Sequence, residues 1–261
     1  QYKLGLMYYH GVGITKNEVL AVEWLEKAAQ QEFPEAQFFL GYCYENGYGV
    51  TQDAAQAIGF YRLAAEQEYP VAQYVLGYCC EKGYLTERDL QQAFTLYQRA
   101  AQQGNIEAEY RMGLFYYHGM LVDEDDEKAT ALFLNAANAG FAPAQHVLGN
   151  CYQYGFGVPK DEQQAVQWYQ RAVDQNDENA QYTMAALYQA GNLVTQDLPL
   201  AAMLYQKSAA RGVAAAQYKV GILYHQGEVL KKDDEKAVEW FTRAAEQGYA
   251  EAEYMLGECN R

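Results

Sequence analysis

Serine occurs once in 261 residues, at Ser208, while histidine occurs four times and cysteine and proline five times each. A hydrolase built on a serine nucleophile, or a metal cage built on histidine, has almost no material here. Basic residues are scarce as well, 19 against 34 acidic, giving a formal charge of -15 and a pI near 4.6. Such a surface repels phosphate backbones and anionic headgroups on average, so nucleic acid is not an expected partner and membrane contact is disfavoured. The three lysines Lys231, Lys232 and Lys236 form the one local basic spot, and Asp233 and Asp234 offset it. No run approaches the roughly 20 apolar residues of a membrane span. What the chain has in quantity is tyrosine, with 25 copies.

The chain also carries a fixed period. Stepping by 36 from Gly5 gives Gly41, Gly77, Gly113, Gly149, Ala185, Gly221 and Gly257 without insertion or deletion. The column of Gly11 holds Gly47, Gly83, Gly119, Gly155, Gly191 and Gly227, and the column of Ala21 is alanine to Ala237. A rigid period in this range means a stack of supersecondary units.

Each unit reads as two helices. In the second unit, helix A runs from near Ala36 to about Glu45, with Ala36, Leu40, Cys43 and Tyr44 on one stripe, and Gly47 supplies a left-handed cap. Helix B opens at the column Asn17, Asp53, Asp89, Asp125, Asp161, Asp197 and Asp233, all side chains that accept from first-turn N–H groups. Its buried stripe is Ala57, Phe60, Tyr61 and Ala64. Pro34, Pro70 and Pro143 are expected to precede helix A, and Pro199 to open a helix B. Nothing reads as strand. Residues 1–261 are therefore expected to form one solenoid of seven A/B units and a C-terminal half unit. Because both ends fall inside a unit, the chain is expected to be trimmed from a longer one, which leaves an export signal on the parent open.

The segment from Ala36 through Gly41, Gly47 and Gly49 to Val50, followed by Asp53, Ala57, Tyr61, Ala64 and Ala65, resembles the Sel1-like repeat family, relatives of the tetratricopeptide repeats. The segment from Ala144 through Gly149, Gly155 and Gly157 to Asp161 matches equally well, and the resemblance covers the whole chain. It implies an all-α, right-handed superhelical α-solenoid of helix-turn-helix repeats. The implied role is that of an adaptor or scaffold, often bacterial, with relatives in envelope assembly, signalling and host interaction. One cysteine-rich branch of the family pairs a helix A thiol with a helix B thiol of the same unit. Here Cys43, Cys79, Cys151 and Cys259 share a helix A column, and alanines such as Ala64 and Ala65 stand opposite. Neighbouring A helices about 8 to 10 Å apart are too distant for a disulfide of roughly 5.5 Å Cα separation. Five free thiols are expected, with Cys80 the fifth, and no metal site, since no Cys-x-x-Cys pair exists. The compartment stays open, with export slightly favoured over the cytoplasm.

Catalytic readings have little to rest on. Some cysteine-rich relatives are linked to β-lactam binding or hydrolysis, which makes a periplasmic binder or hydrolase of β-lactams or cell-wall glycans the alternative. Ser208, however, stands in a helix B column otherwise all alanine, and Arg211 replaces the lysine of a Ser-x-x-Lys motif. Paired glycines such as Gly47 and Gly49 lack the third glycine and preceding strand of a phosphate loop, and read as turns. His10, His118 and His225 lie whole units apart and are expected on the surface. No cofactor is expected.

The informative feature is the side of helix A turned away from the core stripe, which lines the inside of such superhelices. Its first column is Tyr2, Phe38, Tyr74, Tyr110, His146, Tyr182, Tyr218 and Tyr254, and its second Leu6, Tyr42, Tyr78, Leu114, Asn150, Ala186, Ile222 and Glu258. Tyr9 and Tyr117 extend it in a third. Rings of this kind anchor interfaces, because they bury area at low entropy cost and keep a polar tip. They also pack between repeats, and both readings stand at this stage. The expectation is a monomeric, non-enzymatic scaffold that binds a protein or peptide on its concave face through Tyr9, Phe38, Tyr42, Tyr74, Tyr78, Tyr110, Leu114 and Tyr117.

Overall fold

The computed structural model describes residues 1–259, with side chains through Glu258, and folds them into fifteen α-helices with no strand among the described residues. They group into two compact blocks, Gln1–Asp125 and the described residues from Asp126 onward, divided between the A and B helices of the fourth repeat.

The N-terminal block contains α1 (Tyr2–His10), α2 (Glu18–Ala29), α3 (Pro34–Asn46), α4 (Ala54–Glu66), α5 (Pro70–Lys82), α6 (Leu90–Gln102) and α7 (Ile106–Tyr117). The C-terminal block contains α8 (Asp126–Asn138), α9 (Ala142–Tyr154), α10 (Glu162–Asp174), α11 (Glu178–Ala190), α12 (Leu198–Ala210), α13 (Ala214–Gln226), α14 (Asp234–Ala245) and α15 (Ala250–Cys259). Within each block every helix packs on its neighbours in sequence, as repeated helix pairs must if each is to cover the apolar stripe of the next. The alanine column from Ala21 to Ala237 is at most 2% exposed at every position, which lets the helices of a pair approach closely.

Local chemistry sets the boundaries. Asn17, Asp53, Asp89, Asp161, Asp197 and Asp233 each accept from a first-turn N–H of helix B, as their column predicts. Helix A starts earlier than its apolar stripe suggests. Pro34 and Pro70 are its first residues and Pro143 its second, inside the helix, since the missing N–H has no partner to lose there. The column of Gly41 is a packing position, not a turn, because a Cβ there would stand 2.7 Å from the Tyr61 ring. Gly49 serves the turn. Its φ is +71°, and a Cβ would lie 2.2 Å from the carbonyl oxygen of Glu18 in the preceding repeat.

A second polar column ties successive repeats. The buried Gln37 and Gln73 donate to the carbonyls of Ala29 and Ala65 and accept from Gln67 and Gln103, and Gln145 and Gln217 repeat the arrangement with Gln175 and Gln247. In the sixth repeat Arg211 replaces the donor glutamine, and the buried Oε1 of Gln181 is left without a hydrogen-bond partner.

Candidate partner-binding face

The first column of helix A is partly spent on packing. The Phe38 ring lies 5.4 Å from Tyr61 and 5.7 Å from Tyr69, and Tyr74 lies 6.0 Å from Tyr97. His146, Tyr182 and Tyr218 meet Tyr169, Tyr205 and Phe241 in the same way in the C-terminal block. These side chains are half-buried, and Tyr110 with them. The rings of Phe38, Tyr74, His146, Tyr182 and Tyr218 each cover the aromatic of their own helix B, leaving only part of their surface to solvent.

The second and third columns differ between the blocks. In the first two repeats Tyr9, Phe39, Tyr42 and Tyr48 form one aromatic cluster. Tyr9 meets Phe39 at 4.9 Å and Tyr48 at 5.7 Å, both edge to face, and Tyr42 meets Phe39 and Tyr48 at 5.7 Å. Burial, aided by the Tyr42 hydroxyl, pushes the Tyr9 phenol up to about 12. Tyr42 keeps 36% of its surface exposed. Tyr78, one repeat on, is half-buried beneath two cations, Arg111 at 5.0 Å and Lys82 at 5.9 Å from its ring centre. Leu114 and Tyr117 are half-buried on α7. The corresponding second-column residues of the C-terminal block include Asn150, Ala186 and Ile222, none of them aromatic, although Tyr154 on α9 is 62% exposed and lies 5.8 Å from Phe156.

The columns also reveal a partnership that the apolar stripe conceals. Helix B buries Tyr61, Tyr97, Tyr169 and Tyr205, and each phenol needs an acceptor. The third column of helix A supplies it: Tyr61 donates to Glu45, Tyr97 to Glu81 at 2.8 Å, Tyr169 to Gln153 at 2.6 Å and Tyr205 to Gln189 at 2.9 Å. Where helix B carries Leu25, Phe133 or Phe241 instead, the third column carries Tyr9, Tyr117 or His225. That alternation was available from the sequence. Comparing the two columns pairwise finds it, whereas reading either one alone shows only a polar-looking helix edge.

Glu81 is only 8% exposed and is held by more than the phenol. Lys82 lies 2.7 Å and Arg111 3.5 Å from its carboxylate. Burial alone would push this carboxyl up, but the hydrogen bonds from Lys82 and Tyr97 and the two cations outweigh it and hold it below its ordinary value.

The remaining candidates have plain structural settings. Cys43, Cys79, Cys80 and Cys151 are free and buried, and burial pushes the first two thiols up to about 12, far from thiolate reactivity. The side chain of Cys259 lies outside the described residues. Ser208 is fully buried and donates to the carbonyl of Glu178 at 2.7 Å. No group of three or more metal-binding side chains converges among the described residues, and no described helix is long and apolar enough to cross a membrane. A hollow of about 470 Å³ bounded by Tyr2, Ala28, Gln31 and Phe33 sits at the first repeat and gathers none of the predicted residues except Tyr2's column.

Comparison with known proteins returns one family. The Sel1 repeat model matches seven times, over residues 1–33, 34–69, 70–105, 106–141, 142–177, 179–213 and 214–249. Among solved structures, the chain is similar to c5321, a protective antigen of uropathogenic Escherichia coli with an SLR fold, at 33% identity and a TM-score of 0.71. That match covers 98% of this chain and 55% of the antigen, so the chain spans little more than half of that relative. It is similar to a Sel1 repeat protein from Oxalobacter formigenes at 32% identity and a TM-score of 0.78, covering 98% of this chain and 74% of that one. The immunity protein Pa5087 from Pseudomonas aeruginosa shares the fold at 21% identity, with a TM-score of 0.58 over 84% of this chain and 81% of that one. A search of curated proteins gave no match.

Proposed function

The chain belongs to the Sel1 repeat family, whose members are in general protein-interaction scaffolds, and from that premise we propose that it is a non-enzymatic adaptor. It holds a protein or peptide along the exposed A-helix face of repeats 1 to 4. The observation that carries this reading is the aromatic cluster in which Tyr9 and Tyr42 meet Phe39 and Tyr48, the latter two packed partly against the core, with the Tyr42 ring left 36% exposed and Tyr78 half-buried one repeat on. The second column of the C-terminal block supports it by contrast, since Asn150, Ala186 and Ile222 stand there and none is aromatic. Tyr42 and Tyr78 are the principal anchors, while Phe38, Tyr74 and Tyr110 contribute the edges left over from packing.

The protein acts as a single chain and without a cofactor. The likeness to a protective antigen supports an exported, host-facing setting for this bacterial-type scaffold. Affinity capture from bacterial and host extracts tests the reading, with the Tyr42→Ala/Tyr78→Ala pair beside the intact chain and circular dichroism on both. Loss of a captured protein from a folded variant is the expected result. An unchanged captured set overturns the proposal.

A further inference from the structure

The third repeat contains a cation site that is filled by the protein's own side chains. The Tyr78 ring and the Glu81 carboxylate stand one helical turn apart on α5. Arg111 from the next A helix lies between them, 5.0 Å from the ring centre and 3.5 Å from the carboxylate, with Lys82 as the second cation. Aromatic face plus carboxylate is the arrangement that best holds a guanidinium, because the ring takes its plane and the oxygens take its N–H groups.

The second repeat has the same ring and the same carboxylate, Tyr42 and Glu45, but not the cations. Thirty-six residues before Arg111 stands Val75, and thirty-six before Lys82 stands Asn46. Val75 ends at its γ carbons. Asn46 is turned back onto its own helix, its amide donating to the Tyr42 carbonyl at 2.9 Å. Glu45 accepts from the hydroxyl of Tyr61, and no cation pairs with it or lies over the Tyr42 ring among the described residues. A neutral amide serves a buried phenol equally well, as Gln153 and Gln189 do. The charge on Glu45 is therefore more than the fold requires.

We propose that the Tyr42–Glu45 pair receives an arginine side chain from the partner, which takes the place that Arg111 takes on Tyr78 and Glu81. The partner segment is then basic, in keeping with the -15 charge of the chain, which draws cationic ligands towards it. This inference rests on the reading of the A-helix face as a docking surface and adds the chemistry of what docks there.

The test uses the whole chain with fluorotyrosine at position 42 and, as probes, N-acetyl-arginine methylamide and its citrulline counterpart, which has the same shape without the charge. The arginine probe should give a saturable fluorine shift at millimolar concentration, and citrulline should bind at least about tenfold more weakly. Asn46→Lys with Val75→Arg, which copies the third repeat into the second, should remove the response. Arg111→Val with Lys82→Asn should open a second site, read at fluorotyrosine 78. Equal shifts with the two probes overturn the inference, and this comparison needs no substitution that could disturb folding. An unchanged response after the Asn46→Lys/Val75→Arg substitution in a folded protein also overturns it. The docking-surface reading fails separately. If the arginine probe binds but capture survives the Tyr42→Ala/Tyr78→Ala pair, that reading falls, whereas lost capture with no preference between the probes removes only the arginine site.

Discussion

In the N-terminal block the buried phenols of Tyr61 and Tyr97 are received by the carboxylates of Glu45 and Glu81, and in the C-terminal block those of Tyr169 and Tyr205 are received by the amides of Gln153 and Gln189. Both arrangements satisfy a hydroxyl inside a helix pair, and the rest of the repeat is nearly the same. The carboxylate adds a charge that has to be solvated or paired, so it is the more costly choice for packing alone. It also coincides with second-column rings: the exposed Tyr42 and the half-buried Tyr78 stand beside Glu45 and Glu81, whereas Asn150 and Ala186 stand beside Gln153 and Gln189. The carboxylates and the second-column rings thus lie on the same face of the same block.

The strongest way to break this comparison is at the rings. Tyr42→Ala with Tyr78→Ala should cost about 2 to 4 kcal/mol of partner binding by calorimetry, because hot-spot truncations commonly cost 2 or more each and neighbours are not additive. Asn150→Ala with Ala186→Ser, in the same column of the C-terminal block, should cost less than about 0.5 kcal/mol. Similar losses from the two pairs would remove the distinction between the blocks.

Deleting the phenol hydroxyls sharpens the difference in buried charge. Tyr97→Phe removes a donor from the nearly buried Glu81 and should destabilise by about 1 to 3 kcal/mol in denaturant melts. Tyr169→Phe leaves only neutral amides and should cost about 1 kcal/mol. A larger loss for Tyr169→Phe would show that Glu81 relies on Lys82 and Arg111 rather than on the phenol.

Acidification should separate the blocks by order. His146 is held below its ordinary 6.5 by burial, with Asp177 opposing; its ring packs on Tyr169 and its Nε2 lies 3.0 Å from the Thr183 hydroxyl. The unfolded chain therefore takes up the proton first, and the stability this histidine contributes falls as the pH drops below about 6.5. Glu81 is a carboxyl held below 4.5, so its contribution is intact above that value and is lost as the pH falls further towards its folded-state value. Hydrogen exchange should loosen around α9 to α11 before α5 to α7, and His146→Phe should remove the earlier phase. Loosening that begins in α5 to α7 would contradict this assignment.

The smallest effect is a charge exchange. Glu45→Gln should change stability by less than about 0.5 kcal/mol, since the amide still receives Tyr61. It should nevertheless weaken binding of a basic partner and reduce the salt dependence of that binding. A melting curve and a salt titration on one preparation make the check.

Much of the fold was legible because a solenoid repeats its solution. The 36-residue step, the cap column from Asn17 to Asp233 and the glycines past helix A each follow from local backbone needs, and a column of seven examples makes a local need visible. The turn reading of Gly47 and Gly49 agrees with their left-handed backbone. The face of helix A was legible only in part. Phe38 and Tyr74 share a stripe with the exposed positions, yet helix B leans far enough to place Tyr61 and Tyr97 under their rings. A 100° step on one helix carries no information about that lean.

Sequence by itself determined that this protein is a stack of helix pairs, where helix B starts and helix A stops, and which small residues permit close approach, because those follow from φ, capping and periodicity within one unit. Tertiary structure decided which polar residues are spent and which are left over. Glu45 and Glu81 read alike in sequence, but Arg111 reaches Glu81 from the next helix, and Val75 at the same register does not reach Glu45. Whether a charge is paired depends on the side chain that a neighbouring repeat presents across the gap, a distance in space that no single repeat encodes.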